Sequence, residues 1–181
     1  MNLTRDLFIP AIDLNAVRRA YDPTFVADGY DLHRIDKSTI FALAFNPQET
    51  TSGFIDAPND STSVTSYQPE LPQEVILEST NPIYEHMLEF CMAMPTGSSA
   101  VVPCLIVTPD KDGQAVKGHM WKAATISPGE LNTVDGKLSF TMKLNGSKEI
   151  GTVTNENGTL TFTPDGEVVT PPSTDGEAGV Y

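Results

Sequence analysis

The residue types that most often carry out chemistry are few in this chain, and they are scattered along it. The histidines His33, His86 and His119 include no pair at the four-residue spacing that places two metal ligands on one helix face. The cysteines have no ligand partner nearby either, since Cys91 falls in an apolar helical pattern and Cys104 in an apolar run. Both positions predict buried free thiols, and a single pair of cysteines is no disulfide framework.

Two further groups of residues could suggest catalysis. Ser98 and Ser99 lack a nucleophile-elbow pattern, and the segment 97–100 follows a predicted helix, whereas a phosphate-binding loop precedes one. Glu74 and Glu78 could be imagined as paired carboxylates, but acidic residues that alternate on a strand more often form a solvated face. An enzyme therefore has no support in the sequence.

The chain has 181 residues, which suits one domain with arms, and a formal net charge of −13. Nonspecific DNA binding needs a basic surface, so this charge argues against it, although the protein could still handle DNA by not adhering to it. Composition alone favours the simpler explanation that the acidity maintains solubility. No apolar run approaches the roughly 20 residues of a transmembrane helix. The first residues show no Sec-type signal, which predicts synthesis in the cytoplasm.

The N-terminal half mixes weak and clear patterns. Residues 1–35 have little periodicity, which predicts an extended N-terminal arm with a short helix around Leu14 to Tyr21. Residues 36–46 predict a strand covered on both faces, and the polar stretch 47–63 predicts a long loop. A strand interrupted by prolines follows over residues 64–79.

The clearest helix spans about residues 81–94. Asn81 can cap its first free amides, and Pro82 suits the first helical position. An apolar stripe that includes Met87 and Met94 predicts burial against a sheet, whereas His86 belongs to the face that points away.

The C-terminal half is rich in strands. Residues 137–144 alternate between apolar and polar, and the dipeptides Asp135-Gly136, Asn145-Gly146 and Asn157-Gly158 supply the positive φ angles of tight hairpins. Further strands are predicted at 100–108, at 116–126 with Trp121 in the core, at 148–154 and at 159–163. Residues 165–181 predict a flexible acidic tail. The order predicts a mainly β fold, a two-sheet β-sandwich or partial barrel with one flanking helix.

From about Lys37 to Pro164 the chain resembles the major tail (tail tube) protein of long-tailed, siphovirus-type bacteriophages. No single motif is diagnostic, and the resemblance depends on an ordered set. This set comprises the strand Ser38–Pro47 with the polar loop after it, the helix opening Asn81–Leu88, the strand Pro103–Val107, Trp121-Lys122-Ala123, the segment Gly136–Gly146, Gly151-Thr152-Val153 and Thr161–Pro164. We therefore expect a tail-tube-like β domain over residues 36–164.

The resemblance implies two packed β-sheets with a helix, a fold shared with type VI secretion tube proteins. It implies that six subunits form a ring, that rings stack into a tube in the virion tail, and that DNA passes through the lumen into the host without specific binding. It implies no catalytic residue, metal or cofactor. The partners would be further copies of the chain and the tape measure, tail terminator and distal tail proteins.

The lumen of such a tube can be assigned from the predicted strands. With Phe41, Leu43 and Phe45 turned to the core, the other side of strand 36–46 faces the channel. Val75 and Leu77 turned inward would leave the acidic residues of strand 73–79 for the channel, where they would repel DNA. The predicted lumen residues are Ser38, Ile40, Ala42, Ala44, Glu74 and Glu78. Ordinary outer-surface charges are the alternative for the two glutamates.

Two other functional classes stay open at this stage. A carbohydrate-binding or adhesin-like β-sandwich would need an exposed aromatic platform, and the chain has a single tryptophan. Another virion component, such as a head decoration or tail terminator protein, would have similar composition, because a fold does not fix a function.

Overall fold

A computed structural model of the chain describes residues 4–53 and 59–169, and it is mainly β. The strands in chain order are β1 (Ile9–Asp13), β2 (Leu32–Arg34), β3 (Pro47–Ser52), β4 (Ser61–Tyr67), β5 (Glu70–Ile76), β6 (Cys104–Pro109), β7 (Ala115–Trp121), β8 (Thr125–Asn132), β9 (Lys137–Lys143), β10 (Lys148–Glu156) and β11 (Thr159–Val169). The helices are α1 (Leu14–Tyr21) and α2 (Pro82–Ala93), with short 3₁₀ turns at Arg5–Leu7 and Gly97–Ala100.

Six strands form a closed barrel in the order β1-β2-β11-β10-β7-β6. Its interior is one of the two hydrophobic cores, built from the fully or nearly buried residues Ile9, Ala11, Leu32, Leu105, Val107, Met120, Val153 and Leu160. The barrel is closed by only two residue pairs between β11 and β2, one of which joins Leu160 to Leu32. Because closure removes free edges from a sheet, the barrel offers few sites for pairing with another chain.

The second core lies between the outside of the barrel and a three-stranded sheet of order β5-β9-β8. Alternate residues of β6 serve the two cores: Leu105 and Val107 face the barrel interior, while Cys104 and Ile106 face the second core. This double coverage explains why β6 reads as a continuous apolar run. Phe140 and Met142 of β9 close the second core from the sheet side.

Helix α2 covers the same core and confirms the prediction made from its first residues. The Asn81 side chain accepts a hydrogen bond from the Ile83 amide at 3.0 Å, and Pro82 occupies the first turn. Met87 is fully buried. Met94 does not extend the buried stripe, because it takes a left-handed conformation (φ 48°) that ends the helix and leaves its side chain 74% exposed. The predicted burial of Met94 was wrong.

The predicted N-terminal arm is also wrong, because residues 9–34 are part of the folded body. β1 pairs with both β2 and β6 inside the barrel, and all five of its residues are buried. The short helix predicted within this segment is confirmed as α1, so two helices flank the sheets instead of one. α1 packs against α2, where the Tyr21 hydroxyl and His86 Nδ1 are 2.7 Å apart. His86 therefore contacts a neighbouring helix and does not face away.

The strand predicted over residues 36–46 is not continuous. This segment meets β5 at two isolated bridges, Ser38 with Val75 and Ala44 with Glu70. Between them the Gln73 side chain donates to the Ile40 carbonyl at 3.3 Å, which replaces strand pairing with a side-chain contact. The segment thus covers the edge of β5 irregularly.

The predicted long loop is largely a β-hairpin. β3 and β4 pair over six residues of β3 with one register shift, and they form a sheet of their own. The polar composition of this segment misled the prediction, because strands without an apolar face give no periodicity. Residues 54–58, in the predicted loop, lie outside the described residues.

Three features of the C-terminal half also differ from the prediction. The predicted strand 116–126 divides at a turn after Trp121, where the chain passes from the barrel to the three-stranded sheet. Asn145-Gly146 connects β9 to β10 across the two sheets and is no hairpin, whereas Asn157-Gly158 is the predicted hairpin turn with φ of 53° and 90°. β11 continues to Val169, so the predicted tail begins inside a strand. Residues 170–181 lie outside the described residues.

Asp13 joins β1 to α1 and is fully buried. Its Oδ1 accepts hydrogen bonds from the amides of Asn15 at 3.1 Å and Asp31 at 2.8 Å, so it caps α1 and ties down the chain that leads into β2. Its Oδ2 has no hydrogen-bond partner in the described residues, and Arg19 is 3.8 Å away. Burial raises the pKa of this carboxyl above its usual value.

We expect Asp13→Asn to become more stable relative to the wild type as the pH rises from about 4 to 7. The raised pKa means that the folded state binds the proton more tightly than the unfolded state, so the stability from this group is present at low pH and is lost as pH rises through the folded pKa. Asparagine still caps the helix and does not ionise. Urea unfolding across this range measures the difference.

Asp22→Asn is the matched control for this substitution, because hydrogen bonds from Thr24 lower the pKa of the exposed Asp22 carboxyl. For Asp22→Asn, the stability relative to the wild type should fall as pH rises, and it should do so mainly below about pH 4, because a lowered pKa means that the ionised carboxylate stabilises the folded state. If Asp13→Asn lost stability relative to the wild type as pH rose, the Arg19 ion pair would outweigh burial and the interpretation would be wrong.

Candidate assembly surface and aromatic groove

The β3–β4 hairpin projects from the body with almost no packing of its own. Every residue of β3 is exposed, and β4 is exposed apart from the partly covered Thr65 and Ser66. Polar contacts hold it, including the Thr51 and Thr62 hydroxyls at 3.1 Å and a bond from the Thr65 hydroxyl to the Gln48 carbonyl at 3.0 Å. An isolated two-stranded hairpin is marginally stable in water, so this element is expected to be completed by a partner.

The β8 edge of the three-stranded sheet is protected against pairing, whereas the hairpin edges are not. β8 carries Pro128 and a register shift before Leu131, and its exposed outer residues include Glu130. A proline, a bulge and a charge all hinder pairing with another chain. The outer edges of β3 and β4 pair with no other strand of the described residues, and they are rich in serine and threonine. The hairpin is therefore the edge best suited to intermolecular pairing.

The two glutamates predicted for the lumen lie close to lysines. Glu74 accepts from Lys137 at 2.6 Å and from the Thr39 hydroxyl at 2.7 Å, and these hydrogen bonds lower the pKa of its carboxyl. Glu78 pairs with Lys37 and also accepts from Thr80, and its pKa is lowered for the same reason. Each carboxylate is therefore ionised and largely neutralised by its partner.

The other predicted lumen residues have mixed environments. Ser38 and Ala44 are partly covered where they bridge to β5, Ile40 is partly covered, and Ala42 is exposed. The three residues expected to face the core from the same segment also differ in burial. Phe41 and Leu43 pack on the second core, but Phe45 is 61% exposed, so its predicted burial was wrong.

Phe45 belongs to the second surface feature, which we call the aromatic groove. It is an open, mainly apolar groove of about 630 Å³ between the outer face of the barrel and the segments around residues 43–45, 67–69 and 144–146. Its lining residues are Leu43, Phe45, Tyr67, Gln68, Pro69, Ile106, Thr108, His119, Trp121, Leu144, Asn145, Gly146 and Lys148. The rings of Phe45 and Tyr67 (50% exposed) stand at its surface.

Trp121 and His119 form the barrel wall of the groove. Their ring centroids are 6.4 Å apart, and the Lys148 ammonium is 5.6 Å from the centre of the tryptophan ring, within reach of a cation–π contact. His119 Nε2 is 3.2 Å from the Thr108 hydroxyl. Burial lowers the pKa of His119 to about 4, so it is neutral at pH 7 and Lys148 is the charged residue of the lining.

Sequence reasoning missed this groove because it placed Trp121 in the core. The signal was present in the alternation of β7: Met120 faces the barrel interior, so His119 and Trp121 must face outward. Tyr67 and Leu144 cover this outward face only in part. Their positions depend on the tertiary fold, so no local sequence pattern predicts them.

The remaining reactive residue types do not come together. The histidines have separate partners, since His33 contacts Asp31 at 3.1 Å, while His86 and His119 contact Tyr21 and Thr108. Within residues 4–53 and 59–169, no cluster of three or more His, Cys, Asp or Glu residues could hold a metal ion. No helix in the same part of the chain combines the length and apolar character needed to cross a membrane.

Both cysteines are free thiols in the structure, as predicted. Cys104 is fully buried, and burial raises its pKa, with a further contribution from Asp13. Cys91 is only partly buried, and burial raises its pKa to about 11. Neither thiol is activated as a nucleophile at neutral pH.

No protein-family model matches the sequence, and no curated protein matches it. Comparison with solved structures finds similarity to a chain of the anti-feeding prophage baseplate (TM-score 0.39, 8% identity, covering 88% of this chain and 94% of that one) and to a chain of the anti-feeding prophage tube-terminating cap (0.39, 10%, 91% and 92%). Hcp1 from Salmonella typhimurium is also similar (0.33, 11%, 86% and 91%).

Proposed function

We propose that this protein is a structural subunit of a phage-type tail tube. Copies join into hexameric rings, the rings stack into a tube in the virion tail, and DNA passes through the lumen into the host without specific binding. The tape measure, tail terminator and distal tail proteins are the proposed partners in the tail. The function needs no catalytic residue or cofactor.

The observation that carries this proposal is the β3–β4 hairpin. Its polar strands are exposed, and within the described residues both of their outer edges are unpaired, while the edge of β8 carries Pro128 and a bulge and the barrel is closed. Unprotected strand edges confined to one hairpin suit directed self-association, because pairing through them completes the backbone hydrogen bonds of the hairpin.

The test of the proposal is assembly of the purified chain. Light scattering after size exclusion should show a rise in mass with concentration, and negative-stain images should show rings or tubes. Added chelators should not change the result. A monomer that persists at millimolar concentration would overturn the proposal.

The lumen assignment is part of the proposal: Ser38, Ile40, Ala42, Ala44, Glu74 and Glu78 would line the channel. Since Lys37 and Lys137 largely neutralise the two glutamates, the wall at these positions would be polar and nearly uncharged. Such a wall neither attracts nor strongly repels phosphate groups. The net charge of −13 would then act through other surfaces.

We expect the double substitution Glu74→Lys and Glu78→Lys to leave tubes intact and to slow DNA ejection, because the channel would gain unpaired cations that hold phosphates. The effect should weaken in high salt. The same change at Glu85 and Glu89, two exposed glutamates of α2, is the control. Normal ejection through assembled tubes of the first variant would show that these residues lie elsewhere.

A carbohydrate-binding module is the second candidate, because the aromatic groove provides the exposed rings that such a module needs. Phe45, Tyr67 and Trp121 are accessible at one site with polar groups nearby. Glycan-array binding by a monodisperse monomer, lost on Tyr67→Ala, would favour this function over the tube.

A further inference from the structure

We propose that the aromatic groove is the docking site of residues 170–181 of the same chain. These residues follow β11 and lie outside the part of the chain that the structure describes. The inference concerns the resting subunit, and it does not depend on the proposed tube.

The position at which β11 ends places this segment at the groove. Val169 pairs with Lys148, the first residue of β10 and a lining residue of the groove. Asn145 and Gly146, just before β10, also line the groove. The described part of the chain therefore ends at the rim of the groove.

The distance from this exit to the tryptophan is short. Lys148 pairs with Val169 on one side and with Trp121 on the other, so two strand spacings separate Val169 from Trp121. Neighbouring strands are about 4.8 Å apart, which gives a backbone separation of about 10 Å. Three extended residues span roughly the same length. Pro171 and Pro172 can therefore reach the ring of Trp121.

The residue types of the segment match the groove. Pro171-Pro172 cannot continue the pairing of β11, because proline lacks the amide donor, and it favours the polyproline II conformation. Polyproline segments bind in grooves lined by aromatic rings, and they lose little conformational entropy on binding. Tyr67, Trp121 and Phe45 line this groove with rings that no other part of the described chain covers completely.

The charges are complementary as well. Asp175 and Glu177 are the charged residues of the segment, and both are acidic. Among the described residues that line the groove, Lys148 carries a charge and none is a carboxylate. In a chain of net charge −13, a lining with a cation and no acid is a favourable place for an acidic segment.

The single tryptophan of the chain, Trp121, reports directly on this contact. We compare acrylamide quenching of its fluorescence in the full chain and in a chain ending at Val169, both at nanomolar concentration. The quenching constant should rise about twofold on truncation, because quenching follows the exposed area of the ring. A synthetic peptide of residues 170–181 should restore the protection, and high salt should weaken the peptide's binding.

A second variant keeps the chain at full length in case truncation disturbs β11. Pro171→Ala with Pro172→Ala should raise the quenching constant toward that of the truncated chain. Ser173→Ala with Thr174→Ala, the matched control, should leave it near the wild-type value. Far-UV circular dichroism of each variant confirms the folded state.

Three outcomes overturn the proposal. Equal quenching in the wild type, the proline variant and the truncated chain would show that the segment does not cover the groove. Protection that disappears on dilution would assign the groove to a second copy. Protection in the truncated chain that appears only with a glycan would make the groove a ligand site.

Discussion

Gly151→Ala is expected to destabilise the barrel strongly. Gly151 lies on β10 directly opposite Gly118 of β7, and the Phe162 ring packs over both. A methyl group at Gly151 would meet the backbone carbonyl oxygen of Thr163 well inside van der Waals contact and would lie 2.8 Å from the Phe162 ring. Overpacking typically costs about 1–3 kcal/mol, and we expect the upper end of this range because the obstacle is backbone. That is a large part of the about 5–15 kcal/mol that stabilises an ordinary domain.

Gly118→Ala should be less harmful and should respond to a second substitution. Its new methyl group would lie 2.5 Å from Val153 Cγ2 and 2.9 Å from the Phe162 ring, and both obstacles are side chains. We expect Val153→Ala to restore part of the stability lost in Gly118→Ala, which appears as a coupling energy in a double-mutant cycle. Phe162→Leu should not restore Gly151→Ala, because the obstacle from Thr163 is backbone.

Urea unfolding monitored by circular dichroism measures these effects. Thr154→Ala is the control, because Thr154 is an exposed residue of the same strand and should change the free energy of unfolding by little. If Gly151→Ala unfolded at the wild-type urea midpoint, β10 and β11 would be farther apart than the structure places them. The description of the barrel wall would then be wrong.

The elements that sequence reasoning predicted well are those whose signals are local. α2 could be located because the adjacent residues Asn81 and Pro82, its N-cap and its first residue, mark its start. β9 could be located because its alternation matches one buried face and one solvated face, and Leu138, Phe140 and Met142 are all buried as expected. In both cases neighbouring residues determine the structure, so the pattern is sufficient.

The elements that it missed depend on distant partners. β1 contains a proline and is buried on both faces, so it shows no alternation, and its burial comes from pairing with β6 much later in the chain. The opposite error occurred at residues 36–46, where the alternation is present but β5 pairs with only two of the residues. A period of two is necessary for a half-buried strand, but it does not supply the hydrogen-bond partners.

The candidate site was harder to predict for a physical reason. The hairpin is polar on both faces, and polar strands carry no hydrophobic signal. The groove forms where three separate segments meet the outer barrel wall, and only the outward position of Trp121 could have been inferred from alternation. Surfaces used for assembly are often of this kind, because their complement belongs to another molecule.

Lysines introduced on the β3–β4 hairpin should abolish assembly without unfolding the subunit. Thr51 and Thr62 face each other on the exposed hairpin, so Thr51→Lys with Thr62→Lys places two charges beside the unpaired edges. Edge lysines hinder strand pairing, because an incoming strand would have to desolvate them. The hairpin has almost no buried residue, so the thermal midpoint should change by only a few degrees, as for an ordinary surface substitution.

The matched control is Thr154→Lys with Thr161→Lys, a second facing pair of exposed threonines, located in β10 and β11 of the closed barrel. Both double variants add the same charge, so a general electrostatic effect on assembly would reduce tube formation equally. A specific role of the hairpin predicts tubes in the control and monomers in the hairpin variant, measured by light scattering and negative-stain imaging. Burying two lysines at a paired edge would shift the equilibrium from tubes toward monomers, because their charges would lose water. If the hairpin variant assembled at the same concentration as the wild type, the hairpin would have no part in assembly.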